Sequence, residues 1–154
     1  MRVLFVCLGN ICRSPAAEGI LRQKLRKAGL SAQIEVDSAG TGDWHVGNPP
    51  DSRMRSAAQA RGYDLSGLRG RQVSTADFAA FDLILAMDNS NLSNLAKVQP
   101  ANGRAELDLF LRRYGLAVEQ VPDPYYGGDD GFENVLDLLE QACDVLVAEL
   151  EGRL

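Results

Sequence analysis

A cysteine and an arginine lie six residues apart near the start of the chain, a spacing that lets both face one bound oxyanion. Residues 3–6, which precede Cys7, are all apolar, as in a strand covered on both faces of a parallel sheet. A loop between a strand and a helix presents free N–H groups to an anion and favours the thiolate form of a cysteine. Cys7 is therefore a candidate nucleophile. The residues that follow it are Leu8, Gly9, Asn10, Ile11, Cys12, Arg13 and Ser14.

The residue types in this loop support an anion site. Gly9 and Asn10 most readily adopt positive φ, which we expect a tight loop around an anion to require. Ser14 followed by Pro15 predicts a helix N-cap and a first helical position. Arg13 can fold its planar guanidinium back over the loop and hold two oxygens. The spacing alone is not specific, and a core cysteine at the end of a strand is the alternative.

A carboxylate far downstream could supply a proton to a leaving group. Asp123 is followed by Pro124, Tyr125 and Tyr126. General acid catalysis suits a phenolate leaving group, whose parent phenol has a pKa of ~10. Taken alone, Asp-Pro more often starts a turn. Trp44 and the two tyrosines lie in predicted loops, so we expect them to form a slot for an aromatic ring, with packing between surface loops as the alternative.

The Cys7 loop and the segment 123–126 together resemble the low-molecular-weight protein tyrosine phosphatases, and the similarity extends over the whole chain. The resemblance implies hydrolysis of phosphotyrosine in proteins, and of small aryl phosphates, through a phosphocysteine on Cys7. It implies that Arg13 and the loop's N–H groups bind phosphate, and that Asp123 acts as general acid and then as general base. Ser14 would stabilise the departing thiolate. No metal or other cofactor is expected.

The resemblance also implies roles for residues around the nucleophile. Cys12 would trap an oxidised Cys7 as a disulfide and protect it from further oxidation. The positions of Asn10, Ser38 and Asp88 correspond to family positions that form hydrogen bonds and hold the shape of the loop.

Two further positions bear on substrate choice and on loop support. Ile11 resembles the phosphotyrosine branch, because related bacterial phosphatases with threonine here are associated with phosphoarginine. Leu68 stands where many members carry a histidine in the supporting network, so that support is expected to differ in detail. A side activity on phosphoarginine or arsenate stays open.

Alternating strand and helix patterns predict an α/β fold: a doubly wound, flavodoxin-like parallel sheet of four strands with helices on both faces. The Cys7 loop then lies at the carboxyl end of a strand, where such folds bind ligands. The pattern between residues 107 and 111 fits either a short strand or a turn of helix. The other predicted elements are a helix from the loop to Gly29, a strand over 33–38, a loop over 39–50, a helix over 51–61, a strand over 81–87, a helix over 89–97 and an amphipathic helix over 131–151.

The composition narrows the class of protein. The chain has 154 residues and a formal net charge of −5, which suits one domain over residues 1–154 and argues against binding to nucleic acid or an anionic membrane surface. No apolar run approaches a membrane span. Three unevenly spaced cysteines form no disulfide framework, as expected in the reducing cytoplasm. The single histidine, His45, is expected to be a loop residue, with contact to substrate beside Trp44 as the alternative. Zinc-site spacing is lacking. We expect a monomer or a weak dimer.

Two alternatives use the same features. An arsenate reductase of the same fold would relay oxidation to further cysteines, yet residues 66–100 contain none. A non-catalytic phosphopeptide-binding or thiol-sensing module would need neither Cys7 nor Asp123 for binding alone. The combination of nucleophile, arginine and acid therefore favours the phosphatase.

Overall fold

A computed structural model describes residues 1–125 and 129–154. Within them, four strands form one fully parallel sheet, which confirms the predicted doubly wound architecture. The strands are β1 (Arg2–Cys7), β2 (Glu35–Gly40), β3 (Leu83–Ala86) and β4 (Glu106–Leu109). Their order is β2-β1-β3-β4, so β1 is a central strand and its carboxyl end opens into the Cys7 loop.

Helices cover both faces of this sheet. The described helices are α1 (Arg13–Lys27), α2 (Ser52–Ala60), α3 (Asp77–Ala80), α4 (Asn89–Val98), α5 (Phe110–Arg113) and α6 (Asp129–Arg153). Along β1, Val3 and Phe5 join a buried cluster with α1, α5 and α6, whereas Leu4 and Val6 join a second cluster with α3 and α4. Burial on both faces explains why β1 is apolar at successive positions.

Helix α6 carries the apolar stripe that the sequence predicts. Every member of the stripe is buried: Phe132, Val135, Leu136, Leu139, Cys143, Leu146 and Leu150. Burial raises the pKa of the Cys143 thiol, which suits an inert core residue. Even α6, at 25 residues, is not apolar enough to cross a membrane, and the same holds for every helix in the described ranges.

The second strand begins and ends two residues later than predicted. Gln33 N–H donates to Leu30 O within a turn, and the ladder begins where Glu35 N–H donates to Met1 O. At the other end, Gly40 pairs with Cys7, so residues 39 and 40 belong to β2 rather than to the predicted loop. A Cβ at Gly40 would lie 2.7 Å from Leu8 O. The glycine therefore permits close packing beneath the Cys7 loop and is not a turn signal.

The start of α1 also differs from the prediction. The helix begins at Arg13, Cys12 occupies the N-cap without a side-chain cap hydrogen bond, and Ser14 is already helical. The prediction of Ser14 as N-cap is wrong because its hydroxyl contacts Cys7 and Asn10 in the preceding loop instead. The ambiguous pattern over 107–111 contains both elements, the end of β4 and the start of α5. The short helix α3 was not predicted.

Candidate active site

The thiol of Cys7 lies at the junction of β1 and the loop that leads into α1. Its Sγ atom is 3.0 Å from Ser14 Oγ, and the backbone N–H of Asn10 donates to it over 3.3 Å. Both partners belong to the loop or to the first turn of the helix. The sulfur therefore lies within hydrogen-bond distance of one backbone N–H and one hydroxyl of the loop and the helix start.

Asn10 holds the loop through both its backbone and its side chain. Among the non-glycine residues that the structure describes, Asn10 is the one with a positive φ, which is 57°. Its Nδ2 donates to Ser14 Oγ at 2.8 Å and to Ser38 Oγ at 3.0 Å, while its Oδ1 accepts from Arg71 N–H at 2.9 Å. The expectation of positive φ is thus confirmed for Asn10 but wrong for Gly9. A Cβ at Gly9 would lie 3.0 Å from His45 Cδ2, so that glycine serves close packing.

A buried carboxylate extends this network and was missed by the sequence reasoning. Ser38 Oγ donates to Glu18 Oε1 at 2.7 Å, and Glu18 Oε2 lies 2.5 Å from Arg22 Nη2. Burial raises the pKa of Glu18 above its ordinary value, against the opposing effect of the Ser38 hydrogen bond. The available signal was an acidic residue beside Ala17 and Leu21 on the apolar face of α1.

The departure at Leu68 leaves the loop supported by the main chain. Leu68 packs against the larger apolar cluster, and Arg71 N–H supplies the donor to Asn10. The Arg71 side chain forms ion pairs with Asp37 and Asp77, both at 3.1 Å, which fix this segment. A polar side chain at Leu68 is therefore not needed to satisfy the Asn10 amide oxygen.

Arg13 is buried beneath the same loop. Its Nη1 donates to Asp88 Oδ2 at 2.7 Å and to Val121 O at 3.0 Å. Although burial alone lowers the pKa of the guanidinium, the negative charge at Cys7 and the hydrogen bond to Asp88 raise it above its ordinary value. Asp88 also accepts from Asn91 N–H and caps α4. The cation is thus fixed in place by the start of a helix.

Asp123 reaches this cation from the opposite side of the cleft. Its Oδ2 lies 3.6 Å from Arg13 Nη2, and its Oδ1 accepts from Tyr125 N–H at 3.1 Å. The structure thus brings Cys7, Arg13 and Asp123, the predicted catalytic residues, around one cavity of about 280 Å³. The lining residues are Cys7, Leu8, Gly9, Ile11, Cys12, Arg13, Trp44, His45, Asp123 and Tyr125.

The mouth of the cavity is aromatic. Trp44 is 68% exposed, and the rings of His45 and Tyr125 have centroids 6.2 Å apart. The sequence predicts Trp44 and Tyr125 there, and for His45 it favours a loop residue with contact to substrate as the alternative; the structure places all three in the lining of the cavity. Tyr126, also predicted to belong to the slot, lies outside the described residues.

Arg53 connects α2 to the segment that carries the acid. Its Nη2 donates to Tyr125 O at 3.0 Å, and its guanidinium lies 4.8 Å from the centroid of the Phe132 ring. Asp51 accepts two hydrogen bonds from the same guanidinium. No sequence signal distinguishes this arginine, since arginines on exposed helix faces are common and its partners are distant in the chain.

Cys12 belongs to the Cys7 loop and also lines the cavity. Burial, reinforced by the negative charges of Asp51, Cys7 and Asp123, raises the pKa of its thiol. At neutral pH it is therefore a protonated thiol. The two cysteines of the cavity thus differ in environment, because the Asn10 N–H and the Ser14 hydroxyl lie around the sulfur of Cys7.

Comparison with known proteins agrees with this geometry. Residues 2–153 match the model of the low molecular weight phosphotyrosine protein phosphatase family. The low molecular weight phosphotyrosine protein phosphatase of Schizosaccharomyces pombe is 51% identical over 134 residues, 86% of this chain and 85% of the relative. A protein tyrosine phosphatase from Entamoeba histolytica, solved with Hepes in its active site, is 43% identical with a TM-score of 0.93, covering 100% of this chain and 99% of that one.

An enzyme named for a different substrate is also similar in structure. The arginine phosphatase of Drosophila, DARP, is 36% identical with a TM-score of 0.89 and covers 97% of this chain and 98% of its own. The family match nevertheless spans residues 2–153, nearly the full length of the chain. The S. pombe relative shares about half of its aligned residues with this chain, enough to establish membership of the same family. The chain belongs to the low molecular weight phosphotyrosine protein phosphatase family and is a protein-tyrosine-phosphatase.

Proposed function

We propose that this phosphatase hydrolyses phosphotyrosine by way of a phosphocysteine on Cys7. The observation that carries the proposal is that Cys7, Arg13 and Asp123 line one cavity. Phosphoryl transfer to a thiolate needs a nucleophile, charge stabilisation on the transferred oxygens and a proton for the leaving group. These three residues can supply all three at one centre.

In the first step the Cys7 thiolate attacks phosphorus, so that an S–P bond forms and the P–O bond to the tyrosine oxygen breaks. A proton passes from the Asp123 carboxyl group to that oxygen. Arg13 Nη1 is committed to Asp88 and Val121, which leaves Nε and Nη2 to hold two phosphate oxygens. Backbone N–H groups of the loop bind the remaining oxygen.

In the second step water attacks the phosphocysteine. The Asp123 carboxylate accepts a proton from water as the O–P bond forms, and the S–P bond breaks to give inorganic phosphate and the Cys7 thiolate. The Ser14 hydroxyl and the Asn10 N–H, at 3.0 and 3.3 Å from Sγ, stabilise that thiolate as it departs. The same acid thus serves both steps.

The test compares two aryl phosphates in the presence of EDTA. Cys7→Ser should abolish hydrolysis of both, while Cys143→Ala, at a buried thiol outside the cavity, should retain it. Asp123→Asn should slow phenyl phosphate far more than p-nitrophenyl phosphate, because the poorer leaving group depends more on protonation. Glu151→Gln, an exposed carboxylate on α6, is the matched control. Full activity of Cys7→Ser, or equal losses for both substrates with Asp123→Asn, would overturn the mechanism.

We further propose that Cys12 protects the nucleophile. Peroxide converts Cys7 to a sulfenic acid, and the Cys12 thiol condenses with it, so that an S–S bond forms and water leaves. Activity lost to peroxide should return on treatment with a thiol in the wild type. In Cys12→Ser the loss should become irreversible, and equal recovery in both proteins would reject the role.

Phosphotyrosine in proteins is the proposed substrate in preference to phosphoarginine. The apolar Ile11 lines the cavity and offers no polar group to a guanidinium. Hydrolysis of phosphotyrosine and phosphoarginine should be compared in wild type and Ile11→Thr, and the ratio of their kcat/KM values should shift towards phosphoarginine in the variant. An unchanged ratio would remove this role from Ile11.

The proposed setting is the cytoplasm, where the chain would act as one domain and as a monomer or weak dimer. All three cysteines are unpaired thiols, as a reducing compartment maintains. Sedimentation across a range of concentrations should give a monomer or a weakly associating species, and thermal unfolding should give one transition.

A further inference from the structure

A second groove lies beside the catalytic cavity and shares part of its wall. Leu8 and Trp44 line both spaces, so the groove adjoins the cavity. Its other lining residues come from the two positions after β2, the segment 72–75 and α4: Thr41, Gly42, Gln72, Val73, Ser74, Thr75, Asn94, Lys97 and Val98. None of these residues takes part in the proposed chemistry.

The groove concentrates exposed apolar surface. Seven large apolar side chains are exposed in the described part of the chain, and three of them line this groove: Leu8, Trp44 and Val98, at 39%, 68% and 46%. Contiguous exposed apolar surface beside a catalytic cavity is typical of a site that contacts a partner.

The groove also carries one sign of charge. Lys97 is the charged residue among those that line it, and its amine has no ion pair or hydrogen bond with any described residue. Lys24, by contrast, lies 2.7 Å from Asp144. In a chain with a net charge of −5, this unpaired cation provides a local site for a carboxylate.

We propose that this groove binds the substrate chain next to the phosphotyrosine, with an apolar side chain against Leu8 and Val98 and an acidic side chain at Lys97. The proposal rests on the proposed function, because it needs a phosphotyrosyl group in the cavity. It selects phosphoproteins with an acidic residue at a definite distance from the phosphotyrosine.

The length of α4 from its first residue to Lys97 gives the scale of that distance. The helix begins at Asn89, beside the Asp88 that binds Arg13, and Lys97 lies eight residues further on. Eight helical residues span about 12 Å. An extended peptide advances about 3.3 Å per residue and covers that length in about four residues. The acidic residue should therefore lie about four positions from the phosphotyrosine.

The experiment measures kcat/KM on phosphotyrosine peptides that carry aspartate, alanine or lysine about four positions before or after the phosphotyrosine. In one of the two directions, wild type should prefer aspartate over lysine by about fivefold at low salt, and the preference should shrink at high salt. Lys97→Glu should reverse it. Lys27→Glu, an exposed lysine in the last turn of α1, should leave it unchanged.

The apolar contact is tested by comparing two valine-to-serine variants, one inside the groove and one outside it. Val98→Ser should lower kcat/KM for a peptide with leucine between the phosphotyrosine and the aspartate, relative to one with serine there. Val145→Ser should not, since Val145 is 44% exposed on α6 and does not line the groove. Equal leucine preference in both variants would remove the apolar part of the proposal.

The outcomes separate this proposal from the catalytic one. If wild type hydrolyses aryl phosphates and Lys97→Glu keeps the wild-type charge preference in both peptide directions, the groove proposal is wrong while the mechanism stands. If wild type fails to hydrolyse aryl phosphates, the mechanism itself falls. A reversal confined to Lys97→Glu supports the groove.

Discussion

The floor of the cavity, formed by residues 7–14, differs from its rim, formed by Trp44, His45, Asp123 and Tyr125. Asn10, Arg13 and Ser14 in the floor are buried, and each has hydrogen-bond partners within 3.0 Å. In the rim, Trp44 is 68% exposed, and Asp123 contacts Arg13 only at 3.6 Å. The two regions line one cavity, but the floor is held by more and shorter hydrogen bonds than the rim.

This difference separates two functions of the site. Groups whose positions are fixed before substrate arrives can stabilise the transition state without reorganisation, so floor substitutions should lower kcat. Exposed aromatic side chains contribute binding that is shared by substrate and transition state, so substitutions of the aromatic residues in the rim should chiefly raise KM, whereas loss of the Asp123 carboxylate should lower kcat. The predictions below test that division, beginning with the largest expected effect.

Replacing Arg13 with lysine should cause the largest loss among them. Lysine keeps the charge but cannot hold two phosphate oxygens in a planar fork while also binding Asp88 and Val121. We expect kcat/KM for p-nitrophenyl phosphate to fall by about 10²- to 10³-fold, mainly in kcat. Arg26→Lys, on the exposed side of α1, is the control. A loss below about tenfold would mean that charge alone suffices.

Asn10 allows backbone conformation and hydrogen bonding in the floor to be separated. Asn10→Gly keeps the backbone at φ 57° without strain but loses three side-chain hydrogen bonds. It should lose about 2–3 kcal/mol of unfolding free energy. Asn10→Ala should lose about 1 kcal/mol more, because alanine resists positive φ. Urea unfolding measures both, and equal stability of the two variants would show that conformation does not limit this position.

The floor could be predicted from sequence better than the rim, for a physical reason. A buried strand, a glycine-containing loop and a helix start are specified by residues adjacent in the chain. The Cys7 loop can therefore be predicted from a short stretch of sequence. The apolar stripe on α6 follows from helical periodicity in the same way. Arg53, which binds Tyr125 O, joins segments 72 residues apart. No local pattern encodes such a contact, and the β2 boundary failed likewise because pairing with β1 determines it.

In the rim, Trp44→Ala should raise KM for aryl phosphates about three- to tenfold with little change in kcat, because a stacking surface for the ring is lost. Inorganic phosphate provides an internal control, since it occupies the floor without a ring and its inhibition constant should not change. Val46→Ala, an exposed residue of the same loop outside the cavity, is the matched variant. A weaker phosphate inhibition in Trp44→Ala would break the division between floor and rim.

The smallest expected effect concerns Glu18, whose carboxylate accepts a hydrogen bond from Ser38, the serine that in turn binds the side chain of Asn10. Burial raises the pKa of Glu18 above its ordinary value of 4.5. Between 4.5 and the raised pKa, the folded chain therefore binds more protons than the unfolded chain. Stability contributed by this group therefore falls as pH rises through that window. Glu18→Gln removes the ionisation.

The stability of Glu18→Gln relative to wild type should accordingly increase as pH rises from about 4 to about 8: the unfolding free energy of the variant minus that of wild type becomes larger. Urea unfolding across that range measures the difference, with Glu151→Gln, an exposed carboxylate, as baseline. Trp44→Ala should give no such trend, because the rim is not connected to Glu18. A relative stability of Glu18→Gln that stays constant or falls with pH would mean that the Arg22 ion pair, at 2.5 Å, outweighs burial and keeps the carboxylate ionised. In that case the floor is held by a charge pair, and its rigidity should weaken with added salt.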